Sequence, residues 1–322
     1  MGRSVLRLSG ILFIICSFWG CASFDRGVEE RLSAGTHQAV INGAKLYYHV
    51  HGKGPVCIVH PGGPGFQWVY LRMPEVEQSL TLVYLEPVGS GQSERLHNPE
   101  DYTMRRYADD LEELRKQLGL EKFYLLGHSH GGMVAQVYAI EHQEHLRGLI
   151  LYGTTPVANA EWTNDIMGNL KRYEKEPWFP DAVAAFASFP NVKTDEEGIA
   201  LVKRAAGLYL GDYSAHRAQY DAYFSKVGIS VTPYLTALKQ EWPKFDVRPR
   251  LGEIKTPTLI INGEKDIIES PLFGREINSR IKDSRLEIIE NAGHLAHFEE
   301  PTAFAATISG FVMDVEKTHG GK

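Results

Sequence analysis

Residues 127–132 read Gly-His-Ser-His-Gly-Gly, directly after the apolar run Phe123-Tyr124-Leu125-Leu126 and before a helix-like stretch at 133–140. A Gly-x-Ser-x-Gly pentapeptide between a strand and a helix constrains the fold more than any other feature of this chain. The turn is so tight that Gly127 and Gly131 must lack side chains, and Ser129 is carried above the strand end. The helix that starts beneath the serine also aims its positive dipole end at that spot.

The rest of the sequence supplies the sheet such a turn needs. Residues 39–41 and 45–50 flank Asn42-Gly43, a pair suited to the positive φ of a two-residue hairpin turn, so the sheet opens with antiparallel strands. Short apolar runs at 56–59, 80–85, 123–126 and 149–151 then alternate with helical segments, the pattern of parallel strands and crossovers. One such helix is expected over 104–118, where Tyr107, Leu111, Leu114 and Leu118 recur at helical spacing and Gly119 stops it. After Gly153-Thr154-Thr155-Pro156 the pattern changes to helix-like segments rich in aromatic residues, among them Trp162, Trp178, Tyr209 and Trp242. Alternation resumes with 258–261, a helix near 271–281, a strand at 286–289 and a last helix after Pro301. These readings divide the chain into a leader (1–21), a first core part (36–155), a helical cap insertion (156–249) and a second core part (250–318).

A serine hydroxyl is a weak nucleophile at neutral pH and needs a base, which in turn needs an acid to fix its tautomer. Asp266 follows the strand ending near Ile261, and His294 follows the last strand in Asn291-Ala292-Gly293-His294. Parallel strands would bring these loops to the same sheet edge as Ser129. Glu264 and Glu269 share the loop of Asp266, and His297 lies close to His294, so each is a rival for its role. Donors for an oxyanion are expected from the backbone N–H of Gly63, in His60-Pro61-Gly62-Gly63-Pro64-Gly65, and of His130, which follows the serine. The side chains of His128 and His130 are expected to be network or packing groups.

From about residue 36 to 315 the chain resembles the proline iminopeptidase branch of the α/β hydrolases. The resemblance rests on Pro61-Gly62-Gly63-Pro64-Gly65, Gly89-Ser90-Gly91-Gln92-Ser93, Gly127-His128-Ser129-His130-Gly131-Gly132 and Ala292-Gly293-His294. It implies an α/β-hydrolase fold: a mostly parallel central sheet, helices on both faces and an inserted helical cap. It also implies hydrolysis of a small-molecule or short-peptide substrate without cofactor or metal, with removal of an N-terminal proline as the namesake activity. The departures fall where substrate choice is made. Pro61 stands in the family's His slot, Glu86-Pro87-Val88 replaces its Asp-Gln-Arg, and His130 replaces the usual Trp. The cap also has no Trp-x-x-Trp-Glu.

A protonated amine would need cap carboxylates; Glu161, Asp165, Glu174, Asp212, Asp221 and Glu241 qualify by location. The reading is therefore a serine hydrolase, foremost a proline iminopeptidase-like aminopeptidase, with a carboxylesterase or carbon–carbon bond hydrolase as alternatives. A binding protein that kept the fold and lost catalysis would be expected to show a broken Ser, Asp, His set, which is complete here.

Charge and cysteines bound the partners and the compartment. A net charge of -6, with acids and bases mixed along the chain, offers no basic stripe for nucleic acid. Arg3 and Arg7 precede an apolar stretch over 8–19, which is shorter than the ~20 residues a membrane span requires. It reads as an export leader. Phe18-Trp19-Gly20-Cys21 is similar to a lipobox, so Cys21 is expected to be acylated and to hold the protein at the periplasmic side of a bacterial envelope, or else the protein is secreted. Cys57, in the strand-like run 56–59, is expected to be a buried apolar residue with no disulfide partner.

Overall fold

The computed structural model describes residue 27 and residues 29–320; the leader and Cys21 lie outside the described residues. Eight strands form one sheet: β1 (Gly35–Ile41), β2 (Ala44–Gly52), β3 (Val56–His60), β4 (Thr81–Glu86), β5 (Phe123–His128), β6 (Leu146–Tyr152), β7 (Thr258–Gly263) and β8 (Ser284–Ile289). Their order is β1-β2-β4-β3-β5-β6-β7-β8. The Asn42-Gly43 turn takes φ values of 45° and 83°, and it sets the register by pairing Ile41 with Ala44. β1 and β2 are antiparallel, as are β2 and β4, and every later pairing is parallel.

The period-2 alternation of the strands gives the sheet two covered faces. Ile58, Val83, Leu125, Leu149 and Ile260 face one way and pack with Leu111 and Leu114 of the Met104–Gln117 helix and Val134 and Tyr138 of the His130–His142 helix. Val59, Tyr84, Tyr124, Leu126, Ile150 and Ile261 face the other way and pack with Phe304, Ile308 and Phe311 of the Pro301–Gly320 helix. Cys57 lies on this second face, fully buried, with its thiol pushed up by that burial. Each fully buried aliphatic side chain of these layers contributes about 1.5–3 kcal/mol, so the sheet is a stiff platform for its loops.

Between β6 and β7 the chain leaves the sheet and forms helices including Ala160–Leu170, Phe179–Ser188, Asp195–Arg204 and Tyr213–Phe224. Ile166, Leu170, Trp178, Ala182 and Leu208 make a small core that continues onto Ile267 and Ile268, next to Asp266. The incoming and outgoing chains are joined by backbone bonds, Ala158 N to Phe245 O at 3.1 Å and Val247 N to Pro156 O at 3.0 Å. A second seam binds the helical insert to the glycine loop: Ser230 N donates to Gly65 O at 2.9 Å and Gln67 N to Gly228 O at 3.0 Å.

Strand order also fixes where the loops meet. β3 has β4 on one side and β5 on the other, so the direction of winding reverses there, and the crevice at such a reversal is where open α/β sheets place ligands. The loops after β3 and β5, which carry Gly63 and Ser129, emerge side by side because His60 pairs with Gly127.

Candidate active site

Ser129 occupies the N-cap of the His130–His142 helix with φ 54° and ψ −123°. A non-glycine residue held at positive φ is strained, and the surroundings show what enforces it. A Cβ on Gly131 would stand 2.2 Å from His60 O and 2.5 Å from Pro61 O, and one on Gly127 would stand 2.3 Å from Gly131 O. Ser129 N donates to Tyr152 O at 3.0 Å, and Thr154 Oγ1 donates to Ser129 O at 2.8 Å, which hold the turn from below.

Asp266, fully buried, follows β7, and its Oδ2 lies 2.8 Å from His294 Nδ1. Its Oδ1 accepts from the N–H of Ile268 at 2.9 Å and of Glu269 at 3.0 Å, so the carboxylate is fixed by its own loop. With the Nδ1 proton donated to Asp266, Nε2 is the nitrogen of His294 left for the cavity. Burial alone would lower the His294 pKa, but the charges of Asp266 and Glu269 and the hydrogen bond donated to Asp266 outweigh it and hold it above the ordinary value.

The rivals separate by geometry. Glu264 is exposed and accepts from Asn291 N at 3.0 Å, away from the histidine. His297 uses both ring nitrogens elsewhere: Nδ1 stands 3.0 Å from Tyr152 Oη, and Nε2 donates to Tyr70 O at 2.9 Å. Glu269 is not so easily dismissed, because its Oε2 lies 3.3 Å from His294 Nδ1. Asp266, Glu269 and His294 are also the one trio among the described residues close enough to share a cation. A cation there would displace the Asp266–His294 bond.

Ser129, His294, Gly63 and His130 all line one cavity of about 80 Å³, whose wall is otherwise largely aromatic and aliphatic, with Phe66, Phe186, Tyr209, Phe224 and Trp242 among its members. Gly63 takes φ 55°, and a Cβ there would lie 2.8 Å from the Phe66 ring, so the loop closes against the cavity wall. None of the six cap acids lines this cavity. Glu161 pairs with Arg248 at 2.8 Å, Asp221 with Arg217 at 2.6 Å, and Glu241 accepts from Met104 N at 3.0 Å. Asp165 accepts from Asn169, Asp212 caps the Tyr213–Phe224 helix, and Glu174 is exposed.

Several residues that no local pattern marks hold the loops together. Gly62 N donates to Tyr70 Oη at 2.6 Å, Tyr70 Oη donates to His128 Nδ1 at 2.9 Å, and His128 Nε2 donates to His294 O at 3.1 Å. Burial drives the His128 pKa well down, which suits the neutral ring this relay requires. The His130 side chain accepts from Trp242 Nε1 at 3.1 Å, and burial lowers it to about 3, so it too is a neutral packing group. Trp242 follows a π-helical turn, Ala237–Glu241, and its ring stands 6.1 Å from that of His130. Glu299 accepts from Gly293 N at 2.7 Å with one oxygen and from Gly211 N at 2.8 Å and Asp212 N at 3.1 Å with the other. It thereby joins the histidine loop to the helical insert.

A mostly parallel sheet with an inserted helical cap, bearing Ser129, Asp266 and His294 just beyond the ends of β5, β7 and β8, defines a hydrolase of the α/β-hydrolase superfamily. The sequence profile of the alpha/beta hydrolase fold family matches residues 55–301, and the chain belongs to that family. It is 31% identical to a proline iminopeptidase of Saccharolobus solfataricus, over 85% of this chain and 91% of that one. It is 30% identical to a proline iminopeptidase of Pestalotiopsis fici, over 81% of this chain and 93% of the relative. Among solved structures, an alpha/beta fold family hydrolase from Bacillus anthracis superposes with a TM-score of 0.70 at 25% identity, covering 86% of this chain and 98% of that chain.

Proposed function

We propose that the protein is a serine hydrolase of small substrates with an apolar group beside the scissile carbonyl, acting as a proline iminopeptidase-like aminopeptidase. The observation that carries the reading is the 2.8 Å bond between His294 Nδ1 and Asp266 Oδ2 at the wall of a cavity that Ser129 shares. His294 Nε2 takes the Ser129 proton as Oγ attacks the carbonyl, and the resulting oxyanion is met by the N–H groups of Gly63 and His130. The proton passes from His294 to the leaving amine, and a water activated by the same imidazole then hydrolyses the acyl-enzyme. The Saccharolobus and Pestalotiopsis relatives support the aminopeptidase reading, as does the apolar character of the cavity.

One observation favours a second reading, a carboxylesterase or carbon–carbon bond hydrolase: no cap acid lines the cavity to receive a protonated amine. The leader, with Cys21, supports an exported and lipid-anchored protein. The test compares prolyl and alanyl arylamides with short nitrophenyl esters, alongside fluorophosphonate labelling of wild type and Ser129→Ala. The higher kcat/KM names the bond. Undiminished turnover or labelling in Ser129→Ala removes the mechanism, since members of such a triad act as a unit.

A further inference from the structure

Glu269 is the carboxylate that the triad mechanism leaves without a task. It is 2% exposed, lines the cavity that holds Ser129, and its Oε2 has no hydrogen-bond partner among the described residues. A buried carboxylate with nothing to accept from is costly, and it persists where a nearby charge compensates it. The charge that faces it is the imidazole of His294, 3.3 Å away at Nδ1. We propose that Glu269 is a second acid on His294, sharing the imidazolium with Asp266 and standing in for it when Asp266 is lost.

Nδ1 carries one hydrogen, and the 2.8 Å contact awards it to Asp266. Glu269 contributes its charge at 3.3 Å and would need to move only a few tenths of an ångström to accept that hydrogen itself. It acts through His294, so it is a positioning residue. The groups that face the cluster are Asp266 on the same loop, His128 with its ring 4.6 Å from that of His294, His297, Tyr70, Tyr209 and Tyr152, whose hydroxyl donates to His294 O at 3.0 Å. Burial holds the two other histidines down and the three tyrosines up, so all five stay neutral. Changes of charge near neutrality therefore belong to Glu269 and His294. Burial, opposed by His294 and reinforced by Asp266, lifts the Glu269 carboxyl well above its usual range.

The proposal rests on the Ser129–His294–Asp266 reading and is tested in the full chain with Glu269→Gln, Asp266→Asn and the double variant. Asn keeps an oxygen for the N–H groups of residues 268 and 269. In Glu269→Gln the acid limb of kcat/KM on a neutral nitrophenyl ester moves to lower pH by about one unit or more, because one of the charges that retain the His294 proton is gone. Glu269→Met, which suits the apolar wall, gives the same displacement and covers a folding failure of the first variant. Asp266→Asn loses about 10²-fold, against the ~10⁴-fold typical of a triad with a single acid, and adding Glu269→Gln recovers that larger loss.

An unmoved limb, or equal effects of Glu269→Gln in both backgrounds, overturns the proposal. So does a rise in KM confined to substrates with a protonated amine, which would make Glu269 a substrate anchor. Fluorophosphonate labelling separates the two levels. If Ser129 labels in every variant, a negative result sinks only the role of Glu269, and if wild type fails to label, the triad reading and this proposal fall together.

Discussion

Replacing Glu299 with Gln removes a charge without removing a side chain, at a site where the charge holds two loops together. The carboxylate takes three N–H groups with two oxygens, one serving Gly293 and the other Gly211 and Asp212. An amide has one oxygen. Its better orientation keeps the pair on the insert and turns the NH₂ toward Gly293 N–H, so two buried donors oppose each other. Losing one hydrogen bond to a charged acceptor costs about 1.5–3 kcal/mol, and leaving a buried donor unsatisfied costs about 1–3 kcal/mol more. A total of about 2.5–6 kcal/mol corresponds to a Tm lower by roughly 5–24 °C. Because Gly293 precedes His294, kcat falls as well, while the exposed Glu290→Gln serves as a control that moves neither quantity. Thermal unfolding by circular dichroism and ester hydrolysis measure the two effects. A Glu299→Gln protein within 1 kcal/mol of wild type and fully active would refute the assignment of Glu299 as the clasp.

Two further outcomes concern the serine turn and the charge on His294. Gly131→Ala drives a Cβ onto two backbone carbonyls and yields insoluble or inactive protein, whereas Gly168→Ala, in a helix with nothing within 4 Å, is neutral or stabilising by about 0.5–1 kcal/mol in denaturant unfolding. In wild type, kcat/KM rises with pH through a limb above the ordinary histidine value of about 6.5, since a base whose pKa is raised stays protonated to higher pH; a limb below pH 6 would contradict the field of Asp266 and Glu269.

The strands, their crossovers and the strand-end positions of Ser129, Asp266 and His294 were legible because each depends on a few consecutive residues: period-2 runs, a glycine-flanked turn, a polar residue after an apolar stretch. Some details were displaced. The helix after Ser129 begins at His130 rather than 133, because the serine itself is the N-cap, and β1 begins at Gly35 rather than 39. The illegible part joins residues distant in the chain. Tyr70 reaches His128 across 58 positions, and Glu299 reaches Gly211 across 88. The cap acids misled because a charge near a cavity in sequence finds its nearest cation or N–H first, as Asp221 does with Arg217 one turn away. Nor could spacing rank Asp266 against Glu269, since side-chain direction within one loop decides it.

The helical insert is sewn to the core along three lines: its own two connections, the glycine loop through Gly65 and Gln67, and the histidine loop through Glu299. Opening the roof as one body would have to break the bonds of Ser230 to Gly65, Gln67 to Gly228 and Glu299 to Gly211 and Asp212 together. Side-chain rotamer changes of the rings that line the cavity break none of these bonds. A roof held this way keeps the apolar wall of the cavity in place over the serine while substrates of different size are tried against it.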